Sequence, residues 1–269
     1  MITVKDLQHS FPVDGGGHRQ ALVDIDLEVR DGEFLAIVGP SGCGKTTLLN
    51  LVCGLEPLQE GELLVRGEAP HTGAADVGYM LARDCLLPWR RALENAQLAL
   101  EVQGVAPAER KQRAREALRS VGLARFERSF PAQLSHGMRQ RVALARVFAA
   151  APQLILLDEP FSALDAQNRV VVQDAFLEVW ERMRSTVLLI THDLAEAICL
   201  ADRVAVMSAS PGRIKVVHDV DLPRPRSAAD LRGTPEFHRI YDAIWDDLKA
   251  EVERATQENI DFTPTGGAS

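Results

Sequence analysis

The sequence predicts an α/β fold whose buried sheet is interrupted by an inserted run of helices. Three observations carry that prediction. A short apolar run, FLAIVG at 34–39, enters a glycine-rich turn and then the helical stretch TTLLNLVCGL. LILLD (154–158), TVLLIT (186–191) and RVAVMS (203–208) have the length and uniform hydrophobicity of strands buried on both faces. Between these two sets, Ala92 to about Ala149 carries helical spacing of apolar positions. Strands, then helices, then strands point to one α/β core with a helical insertion.

Taken in order, ITVKDL and ALVDIDLEVR alternate apolar and polar residues as half-buried strands do, and Asp14-Gly15-Gly16-Gly17 between them reads as a loop. Gly54 is placed to end the helix after the glycine-rich turn. GELLVRGE (61–68) and VGYML (77–81) are further strand candidates. The helical insertion contains ALENAQLALEV, PAERKQRAREALRSV and MRQRVALARVFAA. Pro223-Arg224-Pro225-Arg226 reads as a linker, residues 234–257 as an amphipathic helix, and 263–269 as a frayed tail.

The chain has 269 residues, 46% hydrophobic and 25% charged, enough for a substantial core. Its net charge of −8 lacks the basic footprint of a nucleic-acid binder, so no nucleic-acid partner is expected. Four scattered cysteines contain no CxxC pair, which argues against a zinc site or a disulfide framework and suits a reducing cytosol. The N-terminus lacks the pattern of a signal peptide, and no apolar run approaches the roughly 20 residues of a membrane span. Work at a membrane would require a partner there.

The strongest motif is Gly39-Pro40-Ser41-Gly42-Cys43-Gly44-Lys45-Thr46-Thr47, which matches GxxxxGK[ST] between a strand and a helix. Glycines let successive backbone N–H groups turn toward anionic oxygens, and the following helix N-terminus faces the same phosphates. Lys45 supplies a point charge near the β- and γ-phosphates, and Thr46 a hydroxyl for Mg²⁺. The alternative, a chance glycine-rich turn, does not account for the second motif. LILLDEP brings Asp158 and Glu159 to the C-terminal end of an apolar strand, where open parallel sheets bind ligands. Asp158 suits Mg²⁺ and Glu159 a general base for water, although two adjacent acids can also be a solvated strand end. Third, Leu134-Ser135-His136-Gly137-Met138 opens a long helix, with Ser135 able to cap it or to meet an anion.

Together these motifs resemble the ATP-binding subunit of an ABC transporter over essentially residues 1–222. The resemblance implies a P-loop NTPase (RecA-like) core, an ABC antiparallel β subdomain and an inserted helical subdomain at about 85–149, with 223–269 as linker and helical tail. It implies ATP and Mg²⁺ as ligands. LSHGM corresponds to the family's signature, SALD with Asp165 to its D-loop, and ITHD to its switch segment with His192 beside the γ-phosphate. Phe11 matches the aromatic that stacks on adenine, the alternative being a core or loop aromatic. Two copies would close head to tail, each ATP touching the phosphate loop of one and Ser135 and Gly137 of the other.

LLPWR followed by ALENAQ, and ADRVAVMSASPGRI, resemble the nitrate, sulfonate and taurine importer group. That implies a transmembrane permease, indirectly a substrate-binding protein, and a place on the cytoplasmic face of the cell membrane. Leu86, Leu87 and Trp89 are then docking candidates, or they pack within the helical subdomain. A soluble non-transport relative, such as an iron–sulfur assembly factor, is the alternative. Two departures from the family concern the signature: His136 replaces its first glycine and Met138 its glutamine. A third is Ala82, where relatives carry a glutamine whose carbonyl helps hold Mg²⁺ and water, a group alanine lacks. Arg83 and Asp84 beside it could substitute, or are simply solvated loop charges.

Overall fold

The computed structural model describes residues 1–13 and 15–261, so Asp14 and the expected frayed tail lie outside the described residues. The first strands, β1 (Ile2–Pro12) and β2 (His18–Val29), pair antiparallel. With β4 (Glu60–Val65) they form a three-stranded sheet in the order β2-β1-β4. It buries Ile2, Val4, Leu7, Leu22, Ile25 and Leu27; the period of two is interrupted between Val4 and Leu7, where the register with β2 shifts at Asp6 and Asp24 in left-handed backbone.

The second sheet holds six strands. Its members are β3 (Phe34–Val38), β5 (Val77–Met80), β6 (Leu154–Asp158), β7 (Thr186–Ile190), β8 (Arg203–Met207) and β9 (Ile214–Asp219), ordered β5-β6-β7-β3-β8-β9. All neighbours are parallel except β9, which returns antiparallel on β8. Every residue of β3, β6 and β7 is buried, the expected result for strands covered on both faces. Because β3, β6 and β7 run the same way, their C-terminal ends open on one edge. The glycine-rich loop, Asp158-Glu159 and His192 all leave from that edge.

The helix α1 (Lys45–Val52) follows β3, and Gly54 in left-handed backbone comes just beyond its end, as expected. The insertion contains α2 (Ala92–Ala96), α3 (Leu98–Val102), α4 (Pro107–Ser120) and α5 (His136–Ala150). ALENAQLALEV is thus two short helices meeting at Gln97 rather than one. Ser135 caps α5 by accepting from Met138 N, and Ala143, Leu144, Val147 and Phe148 bury its apolar face. After β6 come α6 (Ala166–Met183) and α7 (Leu194–Leu200), capped by Asp165 and Asp193. A cluster of Phe34, Phe161, Phe176 and Trp180 ties β3 to α6.

The segment 223–226, expected as a linker, is packed structure. Arg224 stacks its guanidinium 4.3 Å from the Trp180 ring and pairs with Asp202 at 2.7 Å. Arg226 is 8% exposed and donates to the carbonyls of Ala201, Val220 and Leu222; burial lowers its pKa to about 10. Arginines can serve here because their fixed fork of donors satisfies several carbonyls at once. Beyond it lie α8 (Ala228–Leu231) and α9 (Pro235–Asp261), which docks on the core through Phe237, Ile244 and Leu248.

Candidate functional site

The open edge of the parallel sheet forms a cleft of about 530 Å³, within the range of small-molecule sites. Ser41, Gly42, Gly44, Lys45, Thr46 and Thr47 form its floor. Gly44 has φ 101°, and a Cβ there would lie 2.8 Å from Ala21 O, so the loop tucks under β2 only as glycine. Lys45 is buried, and its Nζ donates to Gly39 O at 2.8 Å and Pro40 O at 2.7 Å. Two neutral carbonyls thus hold the ammonium at the cleft, ready to be exchanged for an anion. Cys43 lies beneath the loop, and burial raises its thiol pKa, so Lys45 faces a neutral sulfur.

At the end of β6, Asp158 accepts a hydrogen bond from Thr46 Oγ1 at 3.0 Å. Burial raises the Asp158 pKa, the Thr46 hydroxyl opposes that, and the Glu159 charge adds to it. These two hard oxygens beside a phosphate loop are the donors Mg²⁺ takes when phosphates complete its shell, so the residues present fit that ion. Glu159 stands in left-handed backbone with φ 48°, its N–H bonded to Ile190 O at 2.9 Å. That unusual conformation for a non-glycine residue turns its side chain into the cleft. His192 Nδ1 lies 3.2 Å from Glu159 Oε1.

Phe11 sits at the cleft mouth, 37% exposed and edge-on to His9. It is therefore not a core aromatic, and it lies on β1 rather than in a loop. Two polar lining residues escaped sequence reading. Arg19 lies opposite Phe11 across the β1–β2 pair, and Ser210 comes from the loop between β8 and β9. Only the strand register could have revealed Arg19, and the SASPG string carried no chemical motif of its own.

Ser135, Gly137 and Asp165 do not line this cleft. Ser135 is exposed at the start of α5. Asp165 accepts from Asn168 N at 3.0 Å and from the Asn168 side-chain amide, which lower its pKa. Asp158 and His192 join the cleft's lining through Thr46 and Glu159, whereas Ser135, Gly137 and Asp165 stand outside it.

The stretch after Ala82 is fastened to α5. Gln140 Nε2 donates to Ala82 O at 2.9 Å, and Arg146 donates to the carbonyls of Asp84 and Cys85. Asp84 pairs with Arg139 at 2.9 Å, so it is not a solvated loop charge. None of Ala82, Arg83 and Asp84 lines the cleft. Of the apolar trio that follows, Leu86 packs on the core and Leu87 is held through its backbone by Asn95, whereas Trp89 is 71% exposed.

Comparison with known proteins gives these features a family. The description "ABC transporter" matches residues 22–162. An uncharacterised ABC transporter ATP-binding protein of Methanocaldococcus jannaschii is 43% identical over 251 residues, covering 93% of this chain and 92% of that protein. An aliphatic sulfonates import ATP-binding protein of Ralstonia nicotianae is 46% identical over 228 residues, covering 85% of this chain and 76% of the relative. Among solved structures, the dimeric post-hydrolysis state of an ATP-binding cassette bound to ADP and phosphate superposes with a TM-score of 0.75 at 30% identity, covering 83% of this chain and all of that one. A phosphate-loop cleft with a carboxylate at its edge, on this fold and with these relatives, places the chain in the ABC transporter family, among its ATP-binding, ATP-hydrolysing proteins.

Proposed function

We propose that this chain is the ATP-hydrolysing subunit of an importer for small anionic or polar solutes of the nitrate, sulfonate and taurine kind. The observation that carries the chemistry is the alignment of Lys45, Thr46, Asp158, Glu159 and His192 along one sheet edge. On binding ATP, Lys45 exchanges the Gly39 and Pro40 carbonyls for phosphate oxygens. Phe11 stacks on the adenine. Thr46 and Asp158 would hold Mg²⁺, which neutralises charge on the β- and γ-phosphates. Glu159 takes the proton of the attacking water, and His192 orients that carboxylate and meets the γ-phosphate.

Ser135 and Gly137 complete the site from a second copy, with Asp165 at the same interface. The exposure of Ser135 and Asp165, and the absence of all three residues from the lining of their own chain's cleft, support this reading. Loss of the bridging γ-phosphate then lets the two copies part, which turns chemistry into motion. Trp89 is the part of the apolar trio left exposed for a transmembrane permease. Among the described residues no helix is long and apolar enough to cross a membrane. The permease would hold the chain at the cytoplasmic face and receive solute from a substrate-binding protein. The sulfonate import system named for the Ralstonia relative supports the solute class.

Extraction of tagged chain from its native membranes in mild detergent tests this reading. It predicts ATP turnover that Lys45→Ala abolishes, and recovery of a polytopic membrane subunit. Turnover with only soluble partners, such as iron–sulfur assembly proteins, would contradict the importer assignment.

A further inference from the structure

The loop between β8 and β9 touches three parts of the molecule. It is closed on itself by Ser208, whose N–H donates to Arg213 O at 2.9 Å and whose Oγ accepts from Arg213 N at 3.0 Å. Gly212 exchanges backbone hydrogen bonds with β2, donating to Ala21 O at 2.9 Å and accepting from Val23 N at 3.0 Å. It also lies hard against the phosphate loop, since a Cβ there would fall 2.0 Å from Cys43 O. Between these anchors, Ser210 faces the nucleotide cleft.

The third contact comes from the C-terminal helix. Glu251 on α9 is 3% exposed, and its Oε2 accepts from the buried Ala209 N at 3.1 Å. Its other oxygen meets Lys215 Nζ and Arg254 Nη1, each at 3.5 Å. One turn earlier, Asp247 holds the helix to β9 through His218 Nε2 at 2.9 Å, and Lys215 donates to its carbonyl at 2.8 Å. One carboxylate thus joins the loop amide of Ala209, Lys215 at the start of β9 and Arg254 on its own helix, which fixes the loop relative to α9. An unmet buried amide is costly, so the loop follows Glu251.

We propose that Glu251 is a positioning residue for the nucleotide cleft: through Ala209 it sets Ser210 and presses Gly212 onto the phosphate loop, so the docked C-terminal helix tunes nucleotide affinity. The proposal rests on the reading of the cleft as an ATP site. A tail helix that merely thickens the core would leave affinity unchanged.

ADP binding to the purified full chain, measured by calorimetry, tests it. Wild-type binding that Lys45→Ala removes secures the cleft itself; absence of wild-type binding would sink the ATP reading rather than the role of Glu251. Glu251→Ala is expected to weaken ADP binding about fivefold, the worth of one buried hydrogen bond. Glu251→Gln keeps a carbonyl acceptor for Ala209 N and is expected to bind within about twofold of wild type. Unchanged affinity in the alanine variant, or equal loss in both, overturns the proposal. Should Glu251→Ala fold poorly, hydrogen exchange on the wild type decides. ADP is expected to slow exchange at 209–213 and around Glu251, and no slowing around Glu251 overturns the coupling.

Discussion

The cleft and the signature face differ in how complete they are within one chain. In the cleft, each group already has its neighbour: Lys45 has two carbonyls, Asp158 has Thr46, and Glu159 has His192. On the signature face, Ser135 is exposed and bonds only within its own helix, and Asp165 likewise serves its own helix end. The cleft is preorganised by buried strands that cannot shift singly. The signature face rests on helix starts, which offer unpaired N–H groups to whatever anion is brought to them. One region holds its groups together within a single chain; the other, on the proposed reading, acts on a nucleotide carried by another copy.

The largest effects separate those roles. Glu159→Gln is expected to slow ATP turnover ~100-fold or more while leaving ATP affinity intact, as loss of a general base does. An activity within tenfold of wild type would move the base elsewhere. Ser135→Arg is expected to cut turnover by a similar ~100-fold, the scale of a lost transition-state donor, yet to leave ADP affinity within about twofold. Equal loss of ADP affinity would mean that the signature serves its own chain's cleft.

Smaller effects sharpen the contrast outside the cleft's lining. Ala82→Gln restores an amide beside a loop that Gln140 and Arg146 fasten to α5, and is expected to raise turnover about fivefold, as for one added hydrogen bond. An unchanged rate would show that the fastened loop keeps residue 82 out of the cleft. The smallest effect lies behind the switch segment. Glu196 is fully buried, and burial, with Asp193 adding, raises its pKa to about 8. Its folded pKa exceeds its unfolded value near 4.3, so its contribution is full below that pH and is lost as pH rises through about 8. The melting temperature of Glu196→Gln relative to wild type should therefore climb between those values and level off above. A difference that does not vary with pH would contradict the buried, neutral carboxyl.

The parts read most directly from the sequence were those whose chemistry and local structure coincide. GxxxxGK[ST] between strand and helix, and Asp158-Glu159 after an apolar strand, are readable because phosphate binding constrains adjacent residues. The antiparallel β9, the break at Gln97 and the packed Arg224 and Arg226 were not readable, because each is settled by partners distant in sequence. Asp84 is the plainest case: a charge readable as solvated in the sequence becomes half of a pair with Arg139 only when α5 lies beside the loop. The division between cleft and signature face was implied by family resemblance rather than by periodicity or spacing.

That division is tested most directly by the mass of Glu159→Gln in solution. Light scattering on the purified variant, with and without saturating ATP and Mg²⁺, should give a single chain without nucleotide and twice that mass with it. Adding Ser135→Arg to the same chain should abolish the doubling. A single-chain mass for Glu159→Gln at saturating ATP would contradict the account, because an ATP-filled cleft would then fail to bring in the signature face of a second copy.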